Sequence, residues 1–190
     1  MEKTYWNSFV NGDQKAFEML YNLHFDALVG YAGKFSSDLP FIEEAVQDLF
    51  VKLWQNRANL KRPESLKYYL FKALRNTIYN KLKSSALEVY VGDESDMIAF
   101  DLSADLADAE GPNEDWNVLS HKFMGNLTDR QKEAVYLFYV EEMSYKEIAD
   151  LLQIKVGGTY KLIYRAMAGI REQARDFESQ AGNVHLVPKG

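Results

Sequence analysis

Apolar residues recur at steps of three and four along most of this chain, the spacing of one face of an α-helix. The clearest case is residues 41–55. There Ile42, Ala45, Val46, Leu49, Phe50, Leu53 and Trp54 form one stripe, and Glu43, Glu44, Gln47, Asp48 and Lys52 cover the remaining surface. The stripe is wide enough to serve a core and leave part for a partner. Tyr5, Trp6, Phe9 and Val10 mark an earlier helix, broken at Gly12-Asp13, and Asp13 is a fair N-cap for a second helix. From Gln14 to about Ser36 the residues Phe17, Leu20, Tyr21, Leu28, Tyr31 and Phe35 keep the period, and Ser37-Asp38-Leu39-Pro40 ends it. After a basic loop closing at Pro63, a long helix is expected from Glu64 to about Ser85. Its inner face is Leu66, Tyr69, Leu70, Ala73, Leu74, Thr77, Ile78 and Leu82. Its opposite face alternates rings with cations: Tyr68, Phe71, Lys72, Arg75, Tyr79 and Lys83, with Asn76 beside them. Aromatic rings stack on unpaired bases while Lys and Arg follow phosphates. Packing of the same rings on a neighbouring helix, with cations kept for solubility, gives the same pattern.

Residues 127–175 carry a more specific signature. Ser144 precedes an apolar run with Glu147 three residues on, a capping box, and Met143 with Ile148 fit a hydrophobic staple. Thr128 and Gln131 repeat the cap one helix earlier. The helix after Ser144 runs to about Leu152, Gln153-Ile154-Lys155 make a turn, and a longer helix comes next. Its inner face is expected to be Val156, Tyr160, Ile163, Met167, Ile170 and Ala174. Its outer face then carries Lys155, Gly158, Thr159, Lys161, Leu162 and Arg165. A short capped helix, a three-residue turn and a longer helix with a basic outer face match a helix-turn-helix, whose second helix enters the DNA major groove. An ordinary helical hairpin with solvated charges shares these marks.

At 190 residues, nearly half of them hydrophobic, the chain can form one medium or two small domains. The absence of cysteine excludes disulfides, thiolate zinc sites and a cysteine nucleophile, and is compatible with a reducing compartment. The opening residues MEKTYWNSFVNGDQ lack the apolar core of a signal peptide, and no apolar run approaches the roughly 20 residues of a spanning helix. A soluble cytoplasmic protein without membrane insertion is expected. The net charge of −6 argues against nucleic acid until its distribution is considered. Residues 86–115 hold ten acidic residues and no Lys or Arg, which leaves 22 basic against 18 acidic side chains elsewhere. Residues 52–84 hold nine Lys or Arg against Glu64 alone. Local sign, not global pI, decides which partners are admissible.

The expected architecture is all-α: two small helical domains joined by a flexible acidic linker, the second domain containing the helix-turn-helix. The boundaries are residues 1–85, a linker at 86–115 with a short apolar contact near Met97–Phe100, a domain at 116–178 and a disordered tail at 179–190. A helix at 116–126, with Trp116, Leu119 and Phe123 on one face, opens the second domain. His24, His121 and His185 lie in different elements without metal-ligand spacing, and no HExxH, Walker A or nucleophile elbow occurs. No catalytic residue, metal or cofactor is expected.

Two DNA-directed features in one helical chain resemble a family: the alternative sigma factors of the extracytoplasmic-function group, which keep only sigma regions two and four. Three stretches carry the likeness. Residues 43–54 are similar to the region-two helix, an acidic start followed by D-x-F-x-K-x-W: Asp48, Phe50, Lys52 and Trp54. Residues Ser65 to Lys83, with Leu70 and Asn76, resemble the promoter-melting helix. Leu127-Thr128-Asp129-Arg130-Gln131 with Met143-Ser144-Tyr145-Lys146-Glu147-Ile148-Ala149 resembles the opening of region four, ending in Tyr164-Arg165-Ala166. The resemblance implies a promoter-specificity subunit that docks on the clamp and flap of core RNA polymerase and meets promoter DNA both as duplex and melted. The polymerase contacts it implies are Asp48, Leu49, Phe50, Lys52, Leu53 and Trp54. For the minus-ten element it implies Arg57, Asn59, Lys61, Arg62, Tyr68, Phe71, Lys72, Arg75, Asn76 and Tyr79. For the upstream duplex the candidates are Lys155, Gly158, Thr159, Lys161, Leu162 and Arg165. It also implies an anti-sigma partner. The chain departs from the family at Gly157-Gly158, where two glycines cost a helix about 1 kcal/mol each yet permit close backbone approach to phosphate. The alternative from another class is a two-domain helix-turn-helix regulator binding duplex DNA as a dimer. A third is a helical adaptor for an acidic partner.

Overall fold

The computed structural model describes residues 2–86, 98–102 and 125–183. Among them every regular element is helical, as the apolar periods predict. The chain divides into two compact units, Met1–Ala99 and Phe100–Gly190.

In the first unit, α1 (Glu2–Val10) buries Trp6 and Phe9 and stops at Gly12, whose φ of +92° is open to glycine at little cost. The Asp13 carboxylate then accepts from the Lys15 and Ala16 amides at 2.9 and 3.2 Å, so α2 (Gln14–Ala32) starts with two of its orphan donors satisfied. Asp38 caps α3 (Leu39–Asn56) through the Phe41 amide, and Pro40 in the first turn lacks a donor that would have no partner there anyway. A 3-10 turn at Arg57–Asn59 leads into the loop before α4 (Leu66–Ala86). Helix α1 packs on α2, and α2, α3 and α4 pack on one another. Ile42, Ala45, Val46, Leu49, Phe50 and Leu53 of α3 are all buried in that contact, opposite Leu70, Leu74 and Ile78 of α4 and Leu20, Leu28 and Tyr31 of α2. Apolar burial of this kind contributes roughly 1.5–3 kcal/mol per large side chain before entropy is counted.

The second unit is built from α5 (Asp129–Tyr139), α6 (Tyr145–Leu151) and α7 (Val156–Asn183). Both capping boxes form. The Gln131 amide donates to Thr128 Oγ1 and the Thr128 amide to Gln131 Oε1 at 2.9 Å. The Glu147 amide donates to Ser144 Oγ and the Ser144 amide to Glu147 Oε2 at 2.9 Å. Helix α6 closes in a Schellman arrangement. Gln153 takes a φ of +55°, and the Ile154 amide donates back to the Ala149 carbonyl at 2.8 Å. The Arg130 guanidinium of α5 donates to the Leu152 carbonyl at 2.9 Å and so ties the turn to the preceding helix. Leu127, Val135 and Ala166 form the core between α5 and α7, with Ile170 packed against them.

Two expectations change. Helix α7 continues to Asn183, so residues 179–183 of the expected tail are helical. Within the expected linker Phe100 is buried, its ring 5.8 Å from Tyr136 in an edge-to-face contact, which realises the short apolar contact. The helix expected at 116–126 lies outside the described residues except for its last two, and so do most of the linker and residues 184–190.

Candidate DNA and polymerase interfaces

The second helix of the helix-turn-helix keeps Ile163 and Ile170 inward, as expected, but departs from the expected inner face at Val156, Thr159 and Tyr160. Thr159, Ile163 and Ala166 point inward, with Thr159 fully buried, whereas Val156, Tyr160 and Tyr164 are 41%, 52% and 71% exposed. The inward steps of four, three and four to Ile170 are as helical as the expected set. Tyr160 is drawn outward because its ring stacks on Tyr145 of α6, centroids 3.8 Å and planes 20° apart. Thr159 is therefore corrected: its hydroxyl is buried, without a hydrogen-bond partner, and does not stand on the outer face. Leu162 and Gly158 are half-buried, while Lys155, Lys161 and Arg165 stand in solvent.

The aromatic and cationic face of α4 is largely spent within the protein. Phe71 is fully buried against Tyr31, ring centroids 5.0 Å apart, and Arg75 is buried too. The Arg75 guanidinium lies 4.0 Å over the Tyr79 ring and donates to its hydroxyl at 2.6 Å. Tyr79 in turn meets Phe35 edge-on. Phe71 and Arg75 are thus corrected from nucleic-acid contacts to packing and positioning of Tyr79. Tyr68 and Lys72 are half-buried, with the ammonium 5.7 Å from the ring, and Asn76 is exposed. In the adjoining loop Asn59, Lys61 and Arg62 are exposed. Arg57 is half-buried: it stacks 4.2 Å over Trp54 and donates to the Trp54 carbonyl at 2.8 Å.

At the end of α3 the expected docking residues separate by depth. Leu49, Phe50 and Leu53 are core, each under 5% exposed, and are corrected accordingly. Trp54 is half-buried between Phe9 and Phe17, at 6.2 and 5.1 Å. Lys52 and Val51 are exposed, Val51 at 52%. Asp48 and Glu44 hold Lys81 of α4 between them, at 2.9 and 3.0 Å, and these hydrogen bonds, Asp48 first, raise the lysine above its ordinary pKa. Among the described residues no group of acidic and histidine side chains is arranged to hold a metal ion. None of the described helices is long and apolar enough to cross a membrane.

Comparison with known proteins decides what these surfaces belong to. Residues 20–87 match the family model "Sigma-70 region 2", and residues 121–168 match "Sigma-70, region 4". Together the two matches span more than half of the chain. The chain belongs to the sigma-70 family. It is a promoter-specificity sigma factor, and its relatives place it with the small two-region members. It is 23% identical over 173 residues to the ECF RNA polymerase sigma factor SigW of Bacillus subtilis, covering 87% of this chain and 92% of that one. It is 24% identical over 166 residues to the RNA polymerase sigma-H factor of Pseudomonas aeruginosa, covering 84% and 86%. The fold is similar to that of CnrH in a complex with the cytosolic domain of CnrY, with a TM-score of 0.62, 21% identity and coverage of 92% and 97%. It is also similar to the sigma factor RpoE in complex with the anti-sigma factor NepR from Bartonella quintana, with a TM-score of 0.60, 24% identity and coverage of 85% and 98%.

In this sigma factor the region-two match contains α3, the basic loop and α4, and the region-four match contains α5, α6 and the first part of α7, to residue 168. Residues that sequence reasoning passed over are Val51 on α3 and Tyr160 and Tyr164 on α7, all exposed. Two of them carried a signal: Glu44, Asp48 and Lys52 already marked the side of α3 that holds Val51 as outward, and Tyr164 stands in the family-like Tyr164-Arg165-Ala166.

Proposed function

We propose that the accessible faces divide the work of a sigma factor among three surfaces. The outer surface of α3, with Asp48, Lys52, Val51 and Glu44, docks on the clamp of core RNA polymerase, and Trp54 backed by Arg57 forms its edge. The loop residues Asn59, Lys61 and Arg62, with Tyr68, Lys72, Asn76 and Tyr79 of α4, meet the minus-ten element as it opens. Extruding a base costs a few kcal/mol, which stacking and phosphate contacts offset. Lys155, Lys161 and Arg165, with the backbone at Gly157-Gly158, hold the upstream duplex, and the second unit also meets the polymerase flap.

The observation that carries this reading is the helix-turn-helix: two capped helices, a locked turn and a third helix whose outer face is cationic. The protein itself makes and breaks no covalent bond and acts in the cytoplasm. An anti-sigma partner covers these surfaces, a proposal supported by the solved neighbour with an anti-sigma factor bound. The domain limits 1–85 and 116–178, with an acidic linker between, belong to the same proposal.

Run-off transcription from a promoter upstream of its own gene, with purified core polymerase, tests it. Transcripts that depend on the protein and start at one position are expected. Absence of core binding, together with duplex binding as a free dimer, would put the two-domain regulator in its place.

A further inference from the structure

From Leu151 to Arg171 the chain carries Lys155, Lys161, Arg165 and Arg171 and no Asp or Glu, and all four cations are exposed. Two tyrosines stand among them. Tyr160 and Tyr164, together with Tyr139, Tyr145 and Met167, line an open groove of about 410 Å³. The Tyr160 ring is held in place. It stacks on Tyr145, which lies 4.8 Å from Phe138, whose ring is 4.9 Å from Tyr139. Tyr145 is the first residue of α6, fixed by the Ser144 capping box. Two and three residues before Tyr160 the helix carries only glycines, and a Cβ added at Gly157 would meet nothing within 4 Å.

These features suit a duplex major groove. The cations on both sides of the tyrosines draw the two phosphate strands, the bare step at Gly157-Gly158 lets the backbone come close, and a rigid ring reaches the base edges. Among the bases, thymine alone presents a methyl group there, and apolar contact reads it. A ring already ordered by stacking loses little entropy on contact. We infer that Tyr160, held by Tyr145, is a specificity-determining residue that reads a thymine methyl group in the upstream promoter duplex. Tyr145 is a positioning residue that acts through Tyr160. The inference rests on α7 reading duplex DNA, as proposed above.

The test uses holoenzyme assembled from core polymerase and the full chain, with a pool of duplexes randomised upstream. Wild type is expected to enrich thymine at a defined position. Tyr160→Ala should lose that preference alone, and Tyr160→Phe, which keeps the ring, should retain it. On the selected duplex, replacing that thymine by uracil removes only the methyl group. It should weaken the wild type roughly three- to fivefold, the worth of one buried carbon, and leave Tyr160→Ala unchanged. Tyr145→Leu should blunt the preference with circular dichroism unaltered, and Tyr145→Phe should restore it. If Tyr160→Ala keeps every wild-type preference, this inference falls while duplex reading stands. If Tyr160→Ala keeps them and loses core polymerase binding, the face is a protein contact and the inference is overturned. If wild type enriches no upstream sequence, duplex reading falls and takes the inference with it.

Discussion

Lys81 of α4 reaches between Asp48 and Glu44 of α3, 2.9 Å from one carboxylate and 3.0 Å from the other. The proposed docking face therefore presents its acids already paired. Both carboxylates are well exposed, so the bridge is a surface interaction, worth of the order of 0–1 kcal/mol. Lys81→Met is expected to change folding stability by less than about 1 kcal/mol and to strengthen core polymerase binding at low salt, because two carboxylates are released toward the partner. Core binding measured at two salt concentrations, beside denaturant unfolding, checks it. Weaker binding would mean that the lysine holds α3 in its docking geometry instead.

His24 is expected to give the first unit a pH dependence. It is buried, and burial lowers its pKa below the ordinary 6.5, although its hydrogen bond to Glu2 at 2.8 Å pulls the other way. Below pH 6.5 the unfolded chain takes up a proton that the folded one resists, so stability falls as pH drops through that window. Urea midpoints should decline from pH 7 toward pH 5.5, and His24→Gln should flatten that slope. An equal slope in the variant would assign the dependence to other groups.

Thr159 has a fully buried hydroxyl with no partner, and Val has nearly the same shape as Thr. Thr159→Val is expected to stabilise the second unit by about 1 kcal/mol, by removing an unsatisfied polar group, and to leave promoter affinity unchanged. Thermal unfolding and duplex binding of the same variant answer both parts. A loss of affinity would reinstate Thr159 as a DNA contact.

Gly157→Ala separates folding from binding. The added methyl group has open space in the protein alone, so helix propensity predicts a gain of about 0.5–1 kcal/mol. If the bare step serves close approach to phosphate, upstream duplex affinity should drop in the same variant. Stability and affinity rising together would leave the glycines without a binding role.

What the sequence disclosed and what it hid have physical causes. Capping boxes at Thr128 and Ser144 are local chemistry over three residues, and both form as expected. The stripe of α3 was also legible, since seven strongly apolar positions admit one burial face. The inner face of α7 was legible only in part: Ile163 and Ile170 lie inward as expected, Val156 and Tyr160 do not. Hydropathy ranks Tyr160 above Thr159 for the interior, but the stacking partner Tyr145 sits in another helix and sets the outcome. On α4, Arg75 looked solvent-directed by charge, yet its long side chain finds the Tyr79 ring one turn on. Leu49, Phe50 and Leu53 belong to the family-like motif and also to the core, and spacing alone cannot separate those two uses.

The Arg130 clasp on the Leu152 carbonyl bears on how binding is measured. The Leu152 acceptor is a neutral peptide oxygen, so added salt weakens this bond less than it weakens contacts to phosphate. The tie between α5 and the turn at Leu152 is then expected to persist at ionic strengths that release DNA. A salt titration of this protein is then expected to report chiefly the counterions displaced from the duplex.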